Sequence, residues 1–176
     1  VKEKERTARA RALQSVSLFA TLTDKERATL ADRLVRAPFA PGEAIVVQGS
    51  EVHHLYILAE GSVEVRVAVE GAPARTVARL DAPDFFGEMG MLTGETRKAT
   101  VVALTEVTCW LLEKEMFQGV LAARPQIADD ISRILAARDV ELVAVREGLS
   151  EEAKALRMAH EHGSLLTRIR DFFALE

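Results

Sequence analysis

The chain has 176 residues, the length of one ordinary domain with about thirty residues left for an appendage. With 48% hydrophobic and 28% charged residues it can bury a core and remain soluble, which excludes a disordered or fibrous chain. A net charge of -4 has the wrong sign for a protein that wraps phosphate backbones, so nucleic acid is not the expected partner. The longest apolar runs, such as Val101-Val102-Ala103-Leu104, are too short to span a bilayer as a helix. The single cysteine, Cys109, excludes an internal disulfide and a cysteine-built metal site, and a cytoplasmic setting is expected. The sequence lacks a basic-then-apolar leader, and its ends, Val1 and Leu175-Glu176, are read as those of a fragment.

Residues 2–13 are mostly Lys, Glu, Arg and Ala and predict an exposed lead-in helix. Thr23-Asp24-Lys25-Glu26 has the form of a capping box, and the helix it starts is expected to run to about Val35, where Pro38 ends it. Beyond the Pro41-Gly42 turn the period changes. Val63, Val65, Val67 and Val69 alternate with other residues, the pattern of a strand with one buried face. Shorter strands are expected at 44–47, 55–58, 75–80, 100–104 and 107–112, separated by turn residues, which indicates an antiparallel roll or barrel. Arg124-Pro125 opens a helix on which Ile127, Ile131, Leu135, Arg138, Leu142 and Val145 form one stripe, with an arginine in it. Gly148 stops that helix and Ser150 starts the last, whose apolar face is Leu165, Leu166, Ile169, Phe172 and Phe173. The apolar faces of the first and last helices either dimerise the chain or pack on the roll.

The segment from Phe85 to Thr100 carries the chemistry. It holds three glycines and places Glu88 and Arg97 nine positions apart around a short helical turn. Gly87 allows close approach of backbone to a ligand, and the free N–H groups at the start of the turn can cradle an anion. Arg97 offers a planar, permanently charged fork to a phosphate. Ionised Glu88 only accepts hydrogen bonds, so beside a phosphate it calls for a donor such as a sugar hydroxyl. Phosphate with hydroxyl describes a nucleotide. The alternative for this pair is a salt bridge tying two loops, and for Arg138 a side chain that lays its stem on the core with its head in water.

Phe86-Gly87-Glu88-Met89-Gly90 through Arg97-Lys98-Ala99-Thr100 resembles the phosphate-binding cassette of cyclic nucleotide-binding domains. The likeness extends upstream through Leu18-Phe19, Pro41-Gly42-Glu43 and the segment from Tyr56 to Val63, and downstream to about Val145. It implies an α+β fold, an antiparallel, jelly-roll-like β-roll of about eight strands flanked by N-terminal and C-terminal helices. The expected divisions are a helical segment 1–35, the roll 36–113 with its cassette 86–100, hinge and lid helices 114–147, and a C-terminal helix 150–174. By resemblance, Gly87, Met89 and Gly90 give backbone donors to the cyclic phosphate, Glu88 accepts from the ribose 2'-hydroxyl, and Arg97 pairs with the phosphate. Lys98 and Ala99 line the pocket, and Val65 and Ala78 touch the base. In related bacterial channel domains an arginine late in the helix after the roll contacts the purine, and Arg138 falls at the matching position. Thr96 stands where the family often has Pro. Lys98 stands where a threonine goes with preference for cyclic GMP, so cyclic AMP is the expected ligand and cyclic GMP the alternative.

Outside this segment, His53, His54, His160 and His162 are expected as surface histidines rather than metal ligands, because their spacing does not place a pair on one face. Cys109 is expected in or near the core, and Met89, Met91 and Met116 as core filler. No catalytic constellation, metal site or cofactor is expected, so the chain is read as a sensor and not an enzyme. The lid helix would pass ligand binding to an effector outside the chain. An ion channel on the cytoplasmic side of the inner membrane is favoured, because the basic lead-in and the segment 165–173 look like the ends of such sensors. The alternatives are the regulatory module of an enzyme and a fragment of a transcription regulator, with homo-oligomerisation through the parent protein.

Overall fold

The structure is a computed structural model that describes residues 2–175; within the long helix after the roll, the side chains of Leu142, Val145 and Arg146 lie outside the described residues. Helix α1 (Lys2–Gln14) is exposed except where Ala12 and Leu13 turn inward. Its Arg9 lies over the Trp110 ring, 4.9 Å from the centroid, and donates to the Ala31 and Leu34 carbonyls. A 3-10 turn at Ser17–Phe19 buries Leu18 and Phe19, and helix α2 follows at Asp24–Ala31. The capping box forms: the Glu26 N–H donates to Thr23 Oγ1 at 3.1 Å, and the Thr23 N–H donates to Glu26 Oε1 at 2.8 Å. The Glu26 carboxylate also takes two hydrogen bonds from Arg124, which lower its pKa to about 2.

Helix α2 stops at Ala31 rather than Val35, and the next residues are already a strand, β1 (Val35–Phe39). Pro38 therefore interrupts no helix. It sits in an edge strand, where a missing N–H costs no ladder bond on the open side. One antiparallel sheet orders β1, β8 (Val107–Glu113), β3 (His54–Glu60) and β6 (Asp84–Phe86); the other orders β2 (Ala44–Val46), β7 (Thr100–Ala103), β4 (Ser62–Val67) and β5 (Arg75–Asp81). The eight strands make the expected roll. Strand β4 ends at Val67, so Val69, taken as its last inward residue, is exposed in the following loop.

Strand β3 shows why the roll needs helices. Tyr56 and Leu58 face the roll interior with Val63, Val101, Val107 and Cys109, whereas Leu55 and Ile57 join a second core with the helices. A strand buried on both faces reads as a continuous apolar run, which is what residues 55–58 are. Cys109 is fully buried, and that burial pushes its thiol up to about 12.

Helix α3 (Glu88–Thr93) lies in the connection from β6 to β7, and α4 (Lys114–Ala123), α5 (Gln126–Glu147) and α6 (Glu151–Phe172) follow the roll. Ser150 caps α6 by accepting from the Ala153 N–H at 3.1 Å. Ile127, Ile131 and Leu135 of the α5 stripe are buried; Leu142 and Val145 fall among the undescribed side chains. Helix α6 folds back antiparallel to α5, since Lys154 meets Glu141 while His162 meets Asp129 at 2.9 Å. His162 is thus tied to a neighbouring helix. Leu165, Ile169 and Phe173 are buried in the helical core, so the last helix packs on its own chain. Among the described residues no helix is long and apolar enough to cross a membrane.

Candidate functional site

Three short elements hold the site: β6, α3 and the loop into β7. Phe86 pairs with Tyr56 across β6 and β3, and the two rings stack 5.1 Å apart and nearly parallel. The chain then turns through Gly87 with φ 81°, begins α3 at Glu88, and leaves it through Gly94 with φ 73°. Both angles lie where L side chains are strained, so these glycines make the sharp entry and exit.

Gly87 and Gly90 also make room for Arg97. A Cβ at Gly90 would stand 2.5 Å from Arg97 Nη1, and one at Gly87 2.8 Å from the same atom. Arg97 is 6% exposed; its Nη1 donates to the Gly87 carbonyl at 2.8 Å and its Nη2 to the His54 carbonyl at 2.6 Å. Its backbone is fixed against the 49–50 turn, the Arg97 N–H donating to Ser50 O and the Arg97 carbonyl accepting from the Gly49 N–H. Nε is buried with no partner. A buried cation with an unmet donor is costly, and burial lowers its pKa. An anion set against Nε would remove both penalties.

Glu88 does not pair with Arg97, so no salt bridge ties the two loops through them. The carboxyl is half-buried at the start of α3. Burial raises its pKa, offset in part by its own N–H, by Arg138 and by Arg97.

These groups border a cavity of about 520 Å³. Its floor follows from register: Val46 stands opposite Val101, Val101 opposite Val65, and Val65 opposite Ala78, one row across four strands. The first three line the cavity; Ala78 is exposed at the outer strand and does not. Gly87, Glu88, Met89, Gly90, Arg97, Lys98, Ala99 and Arg138 all line it with Val65. Met89 is thus a wall residue, whereas Met91 is core. Lys98 does not fill the space: its side chain is 84% exposed and pairs with Glu95 at 3.2 Å. Arg138 is exposed, with its guanidinium 5.2 Å from the Phe85 ring centroid.

Sequence reasoning missed several wall residues, among them Glu95 and Thr96 of the cassette loop and Leu135 and Asp139 of α5. Val46 and Val101 could have been found only by aligning the strands in register. Glu161, Leu165 and Arg168 of α6 also line the cavity, and Arg168 pairs with Glu95 of the cassette. Leu165 was visible as part of an apolar face, but not what that face would meet.

A family model described as the cyclic nucleotide-binding domain matches residues 36–124. A cAMP-dependent protein kinase regulatory subunit of Colletotrichum orbiculare is 36% identical over 109 residues, 62% of this chain and 27% of that protein. Among solved structures, the regulatory domain of Toxoplasma gondii PKA, co-crystallised with cAMP, matches with TM-score 0.67 and 28% identity over 79% of this chain and 51% of that one. The N-terminal domain of a transcriptional regulator from Streptomyces coelicolor A3(2) matches with TM-score 0.64 and 27% identity, covering 80% and 98%. The chain spans about a quarter of the length of the curated relative and about half of the Toxoplasma chain.

Proposed function

The chain belongs to the cyclic nucleotide-binding domain family, and on that premise we propose that its cavity binds a cyclic nucleotide, cAMP in preference to cGMP, as the sensor of a regulatory protein. The unpartnered, buried Nε of Arg97 is the observation that carries this reading. A cyclic phosphate beside it would accept from Nε and from the Met89 and Gly90 N–H groups in the first turn of α3, where a helix leaves N–H groups without an intrahelical acceptor. The ribose 2'-hydroxyl would donate to Glu88. The base would lie on the floor of Val46, Val101 and Val65, under α5.

Arg138 gives this binding a consequence. With its guanidinium over Phe85, it can exchange that ring for the purine. A ligand moves an equilibrium only through contacts that differ between two states, and this exchange is such a difference. The preference for cAMP rests on Lys98 standing where a hydroxyl would favour cGMP. It accords with the relatives, one of which is named as cAMP-dependent and another solved with cAMP. The relatives are a kinase regulatory subunit and a transcriptional regulator, which supports a regulatory rather than catalytic role. They favour those two kinds of effector, while the channel has behind it the likeness of the two end segments and the position of Arg138.

Isothermal titration with cAMP and cGMP tests the reading. Binding in the micromolar range or tighter, about −8 kcal/mol, is expected for cAMP. Arg97→Ala should weaken it by roughly 100-fold or more, since it removes a charge-assisted contact from a buried site. A folded wild-type protein that gives no heat with either nucleotide would overturn it.

A further inference from the structure

One stripe of α6, Glu161, Leu165, Arg168 and Phe172, recurs at spacings of four, three and four and faces the cassette. Its end is anchored. The Phe172 ring covers Gly94, where any Cβ would collide with it, and packs edge-on against His53 at 5.2 Å, with the Lys114 ammonium 4.0 Å from its centroid. Phe173 beside it is buried, and its carbonyl accepts from Gln118 Nε2 at 2.8 Å. This anchor sets the register of α6 and brings Arg168, one turn earlier, to the wall of the cavity that Arg97 also lines.

Arg168 meets Glu95 there, and so does Lys98. Glu95 is 20% exposed, whereas the cations are 43% and 84% exposed. Two more exposed cations thus share one carboxylate just past the exit of the cassette helix. Asp139 and Glu161 line the same cavity, so its walls carry both signs. A nucleotide phosphate in this cavity offers the cations a second anion, at a place where Glu95 itself is repelled.

We propose that Arg168 is a second phosphate-binding cation, masked by Glu95 and transferred to the phosphate when the nucleotide enters. This rests on the cyclic nucleotide reading and extends the site to the C-terminal helix. Ligand binding would then change the electrostatic tie between α6 and the cassette, while the Phe172 anchor holds the helix in place.

The two halves of the pair separate this role from a purely structural one. If the pair were only a strap, breaking it from either side would shift affinity in the same direction. If Arg168 binds the phosphate and Glu95 competes for it, the directions are opposite. Calorimetric titrations with cAMP should therefore show about tenfold weaker binding for Arg168→Ala and several-fold tighter binding for Glu95→Gln. Adenosine, which has no phosphate, should bind both variants as it binds wild type. The tightening by Glu95→Gln should persist with Lys98→Ala in the same chain, which assigns it to Arg168. Each variant should unfold at close to the wild-type temperature, because an exposed pair contributes little to stability. The proposal is overturned if both single variants move cAMP affinity the same way or not at all, or if adenosine binding falls in step. With wild type binding cAMP and Arg97→Ala losing it, such a result sinks this proposal alone. No cAMP binding by folded wild type sinks both.

Discussion

Arg97 is a cation whose guanidinium is held by backbone carbonyls from two segments and is short of one acceptor. Its type and position were legible in the sequence, because a single arginine follows a glycine-rich turn at a distinctive spacing. What the glycines are for was legible only in part. Gly87 and Gly90 leave the volume in which the guanidinium lies, so they position the arginine as well as opening the site to a ligand. Glu88 makes a prediction at the same scale. Its carboxyl titrates above the ordinary value of 4.5, chiefly because it is buried. If the ionised form accepts from the ribose hydroxyl, cAMP affinity should rise with pH through that raised pKa and fall on acidification before ordinary carboxylates protonate. Titrations across the acidic range check this, and Glu88→Gln should flatten the dependence while binding more weakly throughout.

Helix ends that carry a capping residue were legible because that signal is local. Thr23 with Glu26, Gly148 and Ser150 cap helices where their chemistry requires. The course of residues 35–39 was misread because Pro38 is compatible both with a helix stop and with an edge strand, and only the pairing of β1 with β8 decides. The tie between elements was likewise invisible: Arg124 lies 98 residues from Glu26, yet it joins α2 to the junction of α4 and α5. Because Glu26 titrates at about 2 in the fold against 4.5 unpaired, its contribution is present above pH 4.5 and is lost as pH falls towards 2. Water at the pair's edge reduces its size to on the order of 1 kcal/mol. Denaturant melts of wild type and Glu26→Gln should differ by about that amount at pH 6 and converge near pH 2; equal stability at both pH values would show that the tie contributes nothing.

At the scale of the whole molecule, the two-sided burial of β3 and the spacing of the turns made the roll legible, as did the stripe on α5. The place of α6 was not, because an amphipathic helix states that it must be covered and not by what. Here the cover is the helical core and the cassette helix, which makes the last helix a wall of the cavity instead of an extension away from it. The roll and the C-terminal helix therefore share the walls of one cavity.

The most direct check of the central claim is a crystal structure of the chain grown with saturating cAMP. A phosphate oxygen should lie within about 3.0 Å of Arg97 Nε, with the 2'-hydroxyl on Glu88 and the base over Val65 and Val101. A cavity left empty under those conditions, or a nucleotide bound with Arg97 Nε still unpartnered, would contradict it.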